Sequence, residues 1–197
     1  MKHHRLLIAA CVAALAACNS SPNIDEKNAS VDEVAARVRE ASGSGSFVRP
    51  GKWQSNVTIE AFDIPGMPPE AVKRMKSAVA QNQQHDFTTC LTPEDVKQPK
   101  GKFFTGNDQC RYDHFTMGGG KIDAAMRCPS GKGMTQVMTM QGTYSPEQYV
   151  MRVTMKGEGV SKPVSGMNMQ MRVDSRRIGE CSAKDAQAST SPPKSAN

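Results

Sequence analysis

Aromatic residues are scarce: Phe, Trp and Tyr make up 5% of the 197 residues, with a single Trp. No dense Lys/Arg block is present either. A nucleic-acid face needs a basic stripe interleaved with stacking rings, so nucleic acid is excluded as a partner. No apolar run reaches the roughly 20 residues of a membrane-spanning helix. No Cys-x-x-Cys spacing occurs, and only His85 and His114 lie beyond residue 17, so a zinc site lacks ligands and no metal site is expected. The chain also lacks a Gly-x-Ser-x-Gly elbow, a His-Glu-x-x-His helix motif and a phosphate loop. These absences leave no recognisable catalytic set, so no enzyme activity and no cofactor are expected.

What is present begins at the N-terminus. Lys2 and Arg5 precede an apolar run, Leu6 to Ala17, that ends in Leu15-Ala16-Ala17-Cys18. A positive start, a short apolar stretch and small residues before a cut mark a secretory signal. The cysteine at the cut is the further requirement of lipoprotein processing. Residues 1–17 therefore read as a lipoprotein signal peptide and Cys18 as the lipidated residue. Two or more acyl chains anchor stably where one does not, so the chain is expected to be held at the membrane through its N-terminal lipid. Asn19, rather than an aspartate, favours the outer membrane, with the protein facing the periplasm.

Removing the first 17 of 197 residues leaves 180, enough for one domain with a core. The formal charge of +6 falls to near +4 without Lys2 and Arg5, and it is scattered. Four cysteines remain after the signal and the lipid site: Cys90, Cys110, Cys128 and Cys181. An even count in an oxidising compartment predicts two disulfides, with three possible pairings. Gly118-Gly119-Gly120 signals a turn, and Cys110 and Cys128 lie nine residues either side of Gly119. A hairpin centred there pairs Cys110 with Cys128, Tyr112 with Met126, His114 with Ala124 and Thr116 with Ile122. Cys90–Cys181 follows by exclusion, closing a loop worth about 4 kcal/mol on the chain-entropy model.

Residues 18–46 read as a lipidated tether with a short helix. Ser30-x-x-Glu33 fits a capping box, and Val31, Val34, Ala35 and Val38 recur at helical spacing up to Ser42. Residues 47–181 read as the disulfide-braced β domain. Trp53 to Ala61 alternates as a strand; Pro69 to Gln81 reads as a helix with an apolar face of Ala71, Val72, Met75, Ala78 and Val79. A short strand spans Asp86–Leu91, and Thr92 to Asp95 reads as a capped turn. Strands follow at 110–117, 121–128, 134–143, 149–156 and 167–174, each with one apolar and one polar face. The expected fold is α+β, mostly β: a curved antiparallel meander of six or seven strands packed on one helix, the one at 69–81, with a short N-terminal helix. Residues 182–197 lack large apolar groups and read as a disordered tail.

Pro50-Gly51-Lys52-Trp53, Ile64-Pro65-Gly66-Met67-Pro68, Cys90-Leu91-Thr92-Pro93-Glu94-Asp95, Cys110, Cys128 and Arg176-Arg177-Ile178-Gly179-Glu180-Cys181 occur in that order. This set resembles the domain-of-unknown-function family 3617 of proteobacterial envelope proteins and lipoproteins, over about residues 48–181. The resemblance implies a small secreted, disulfide-bearing domain and supplies no reaction, ligand or catalytic residue.

Methionine is abundant, with thirteen in the chain. Met-x-Met spacing places Met138, Met140, Met151, Met155, Met169 and Met171 on one face of three late strands. The plain reading is core packing, because methionine fills irregular gaps. The functional reading is a pliable surface for an apolar ligand or an envelope partner protein. The alternative is periplasmic Cu(I) binding through thioethers. A hydrolytic enzyme is a third reading, and it needs His114 and a carboxylate to meet inside an apolar cleft. Arg172, Arg176 and Arg177 are read as a solvated strand end. The leading expectation is a lipid-anchored envelope protein whose β domain binds without catalysis.

Overall fold

A computed structural model describes residues 23–42, 47–83, 87–97, 109–131, 133–159 and 166–182. The stretch read as a signal peptide, Cys18, residues 43–46, His85 and residues 183–197 of the stretch read as a tail lie outside the described residues. Within them the chain forms β1 (Ile24–Ser30), α1 (Val31–Ser42), β2 (Gly51–Asp63), α2 (Pro69–Gln83), β3 (Phe87–Leu91) and α3 (Pro93–Lys97). It continues with β4 (Arg111–Gly118), β5 (Lys121–Pro129), β6 (Met134–Ser145), β7 (Gln148–Gly159) and β8 (Asn168–Gly179). The strands make one open antiparallel sheet in the order β1-β4-β5-β6-β7-β8-β2-β3.

The fold class is as the sequence implies, mostly β with an antiparallel meander through β4 to β8. The sheet has eight strands rather than six or seven. The additional strand is β1, which lies in the stretch read as a tether and pairs with β4 from Ile24↔Met117 to Ser30↔Arg111. Its alternation is hidden because Asn28 takes a left-handed φ of 51°. That kink breaks the two-residue period, so that Ile24 and Ala29, five apart, are its two buried apolar side chains.

Ser30 ends β1 and caps α1 with no residue between them. Its hydroxyl accepts from the Glu33 amide at 3.2 Å, and the Glu33 carboxylate accepts from the Ser30 amide at 2.6 Å. This reciprocal box turns the chain straight back onto the strand it has just left. Val34, Ala35 and Val38 of α1 are consequently buried against Tyr112, Phe115, Met117, Ala124 and Met126 of β4 and β5. The helix that fills the core is therefore α1 and not the one at 69–81. On α2, Ala71 and Val72 are half-buried, while Met75 and Ala78 are exposed. A second, smaller cluster of Val48, Trp53, Leu91 and Val96 packs on the same face at the other edge of the sheet, beside β2 and β3.

The hairpin register departs from a simple count. Gly119 and Gly120, at φ 55° and 75°, form a two-residue turn with both central residues left-handed, the geometry that suits strand twist. It pairs Gly118 with Lys121, so His114 faces Ala125 and Thr116 faces Asp123, one position off the expected Ala124 and Ile122. A register shift between Tyr112 and His114 then restores Tyr112↔Met126. Because side chains alternate, a one-residue slip moves each to the other face. Phe115 and Met117 thus enter the core, and His114 and Thr116 leave it.

Both expected disulfides are present: Cys110–Cys128, 18 residues apart, and Cys90–Cys181, 91 apart. Thr92 and Asp95 form a second capping box at the start of α3, at 3.1 Å in both directions. It fixes the turn that follows Cys90.

Candidate functional site: a methionine-lined sheet face

Cross-strand partners in an antiparallel sheet share a face, so the register builds the site row by row. One row runs Met126–Met138–Met155–Met169–Phe62 across β5, β6, β7, β8 and β2. The next is Ala124–Met140–Val153–Met171–Ile59, and the third Ile122–Gly142–Met151–Val173–Val57. All six methionines singled out in the sequence therefore lie on one face in three adjacent rows.

Their surroundings differ. Met138 and Met140 pack against the α1 cluster. Met151, Met155, Met169 and Met171 belong to neither buried cluster and stay half-buried. The Met155 sulfur accepts a bond from Gln136 Nε2 at 3.4 Å, which fixes one thioether in the middle of the first row. At Gly142 the opposing β7 backbone comes so close that a Cβ would meet the Val150 carbonyl and the Met151 sulfur. The missing side chain is what lets Met151 lie over β6.

The opposite face is wet and laced with ion pairs. Arg152 grips Glu60 with two bonds of 2.7 and 3.0 Å, and Arg172 grips Asp174 with bonds of 2.8 and 2.7 Å. Arg127 bridges Asp113 and Glu158. Each arginine beside a carboxylate is held further toward its charged form, and Arg152 lowers the Glu60 carboxyl below its usual range. His114 Nε2 lies 2.6 Å from Asp123 Oδ1 on this face. The two side chains are 40% and 48% exposed, so they meet in solvent and not in an apolar cleft. A shallow depression of about 310 Å³ also opens here, lined by Gln54, Asn56, Gln148, Val150, Asp174, Ser175 and Arg176. No cue in the sequence marked it, because its polar residues come from three strands distant in the chain.

The three late arginines are not one cluster. Arg172 is paired with Asp174, Arg176 donates to the Gln54 amide oxygen at 3.0 Å, and Arg177 Nε donates to the Pro50 carbonyl at 2.7 Å. Arg177 also pairs with Glu180. Among the described residues no group of three or more His, Cys, Asp or Glu side chains is placed to hold a metal ion. No described helix is long and apolar enough to cross a membrane.

Several segments that carried the family pattern meet at one corner. Trp53 is buried there, its indole nitrogen donating to the Arg49 carbonyl at 3.0 Å. The Cys90–Cys181 bridge and the Arg177–Pro50 bond tie β3, β8 and the start of β2 together around it. The family model described as "Protein of unknown function (DUF3617)" matches residues 48–181. The chain belongs to the DUF3617 family. The DUF3617 match spans β2 through the second half of the Cys90–Cys181 bridge, and leaves β1 and α1 outside it. No curated protein and no solved structure matches the chain.

Proposed function

We propose that this protein is a lipid-anchored envelope protein, held at Cys18 and facing the periplasm, whose β domain binds an apolar ligand or a partner protein and catalyses nothing. One observation carries the binding reading: Met151, Met155, Met169 and Met171 stay half-buried outside both core clusters, with Val57, Ile59, Phe62, Val153 and Val173 as their neighbours on the same face. Unbranched, polarizable thioethers re-pack around guests of varied shape. The exposed setting of the His114–Asp123 pair argues against hydrolysis, because a general base works in a water-excluded site. Native mass spectrometry of protein purified from its own envelope is the test. A co-purifying lipid or partner that is lost on Met155→Gln with Met171→Gln supports the reading; retention in that variant ends it.

A second reading is favoured by the first row. Met138, Met155 and Met169 are direct neighbours on three successive strands, and thioethers select Cu(I) among available metals. Titration of the reduced soluble domain with Cu(I) against a competing chelator separates the two readings. Affinity that survives Met155→Leu and Met169→Leu removes the thioether site.

A further inference from the structure

We infer that the sheet meets the membrane with one particular end: the end that holds the start of β1, the Gly119–Gly120 turn, the Pro146–Glu147 turn and the finish of β8. The inference rests on lipidation at Cys18. Ile24 opens β1 opposite Met117, one residue from the Gly119–Gly120 turn region. The β6–β7 turn lies at the same end, since Lys121 pairs with Thr143 and Ser145 with Gln148. Backbone bonds then lock the neighbouring segments there: Arg49 N to Pro146 O at 3.0 Å and Arg177 N to Glu147 O at 2.8 Å.

Chain length turns that placement into an orientation. Six residue steps separate Cys18 from Ile24, a reach of at most about 20 Å. The nine residues of β5 alone span about 30 Å. An anchor that short cannot let the opposite end approach the bilayer as closely as the end it is tied to, unless the sheet lies flat. The side chains argue against lying flat. Ile178, 47% exposed, projects at the tethered end, flanked by Arg176, whose hydrogen bond goes to a neutral amide rather than a carboxylate. Lys121 and Arg49 are exposed at the same end together with Asp25, Glu147 and Glu180, the last two paired to arginines. Arg176 and Lys121 are the cations this end offers to anionic headgroups.

The test uses full-length protein lipidated in cells and reconstituted in vesicles of phosphatidylethanolamine and phosphatidylglycerol carrying a nickel-chelating headgroup. A nitroxide is placed at Lys121→Cys, which opens β5, or at Ser130→Cys, just past its far end, and its relaxation by the surface nickel is measured. A several-fold larger effect at residue 121 than at 130 is expected, and equal or reversed effects overturn the orientation. The mass of the N-terminal peptide is read on the same sample. An unmodified Cys18 overturns the lipid anchor and this inference together; a lipidated Cys18 with equal nickel effects overturns the orientation alone.

Discussion

His114 and Asp123 meet diagonally across the β4–β5 hairpin at 2.6 Å, on the wet side of the sheet. Hydrogen bonding to His114 holds the Asp123 carboxyl below its usual range, with Gln141 Nε2 adding a second bond at 2.8 Å. A carboxyl whose folded pKa is depressed stabilises the fold above its unfolded pKa. That contribution is lost as pH falls through the folded value. Both side chains are roughly half exposed, so solvent screening keeps the effect below about 1 kcal/mol. His114→Gln is expected to move the Asp123 carboxyl resonance titration toward higher pH in carbon-detected NMR. No change in that titration would show that the pair does not form in solution.

Tyr112 makes the opposite kind of contribution. It is fully buried, its hydroxyl has no hydrogen-bond partner, and burial pushes its phenol up to about 12. An unsatisfied buried hydroxyl costs about 1–3 kcal/mol, so Tyr112→Phe is expected to leave stability unchanged or raise it by about 1 kcal/mol in urea unfolding. A raised folded pKa means the fold loses stability as pH climbs from the unfolded value of about 10 through the folded one. The phenylalanine variant should lose less over that window, and an equal alkaline loss in both proteins would refute this account.

The two disulfides should differ in weight. On the chain-entropy model the Cys90–Cys181 bridge, 91 residues apart, stabilises by about 4.5 kcal/mol, and the 18-residue Cys110–Cys128 bridge by about 3 kcal/mol. Replacing each pair by serine and comparing unfolding midpoints checks the order. Trp53, buried beside Leu91 in the smaller cluster, reports the first loss through its fluorescence.

Gly142→Ala should be costly for its size. The new methyl would press on the Val150 backbone oxygen and the Met151 sulfur, and overpacking of this kind costs about 1–3 kcal/mol. A midpoint within error of the parent would mean that β6 and β7 separate more easily than their register implies.

The strands of the meander and the methionine rows could be read from two-residue alternation, since each late strand keeps one apolar face. Both capping boxes and both disulfides could be read as well, because they depend on local spacing and a turn. Four things could not. The Asn28 kink hides β1, since Ala29 falls out of step with Ile24. The two-residue turn slips the hairpin by one, so His114 pairs with Ala125 instead of Ala124 and lies on the ion-paired face. The choice between two amphipathic helices depends on connection rather than pattern. Ser30 joins β1 directly to α1, whereas five residues separate β2 from α2. The polar depression is a tertiary product of β2, β7 and β8 and left no local trace.

Asn28 has a role that reaches past its own strand. Open sheets invite copies to polymerise edge to edge. A left-handed residue in the middle of the outermost strand, with Asp25 and Lys27 exposed beside it, makes that rim a poor template for another copy. Removing the kink should convert a dispersed population into one prone to fibres.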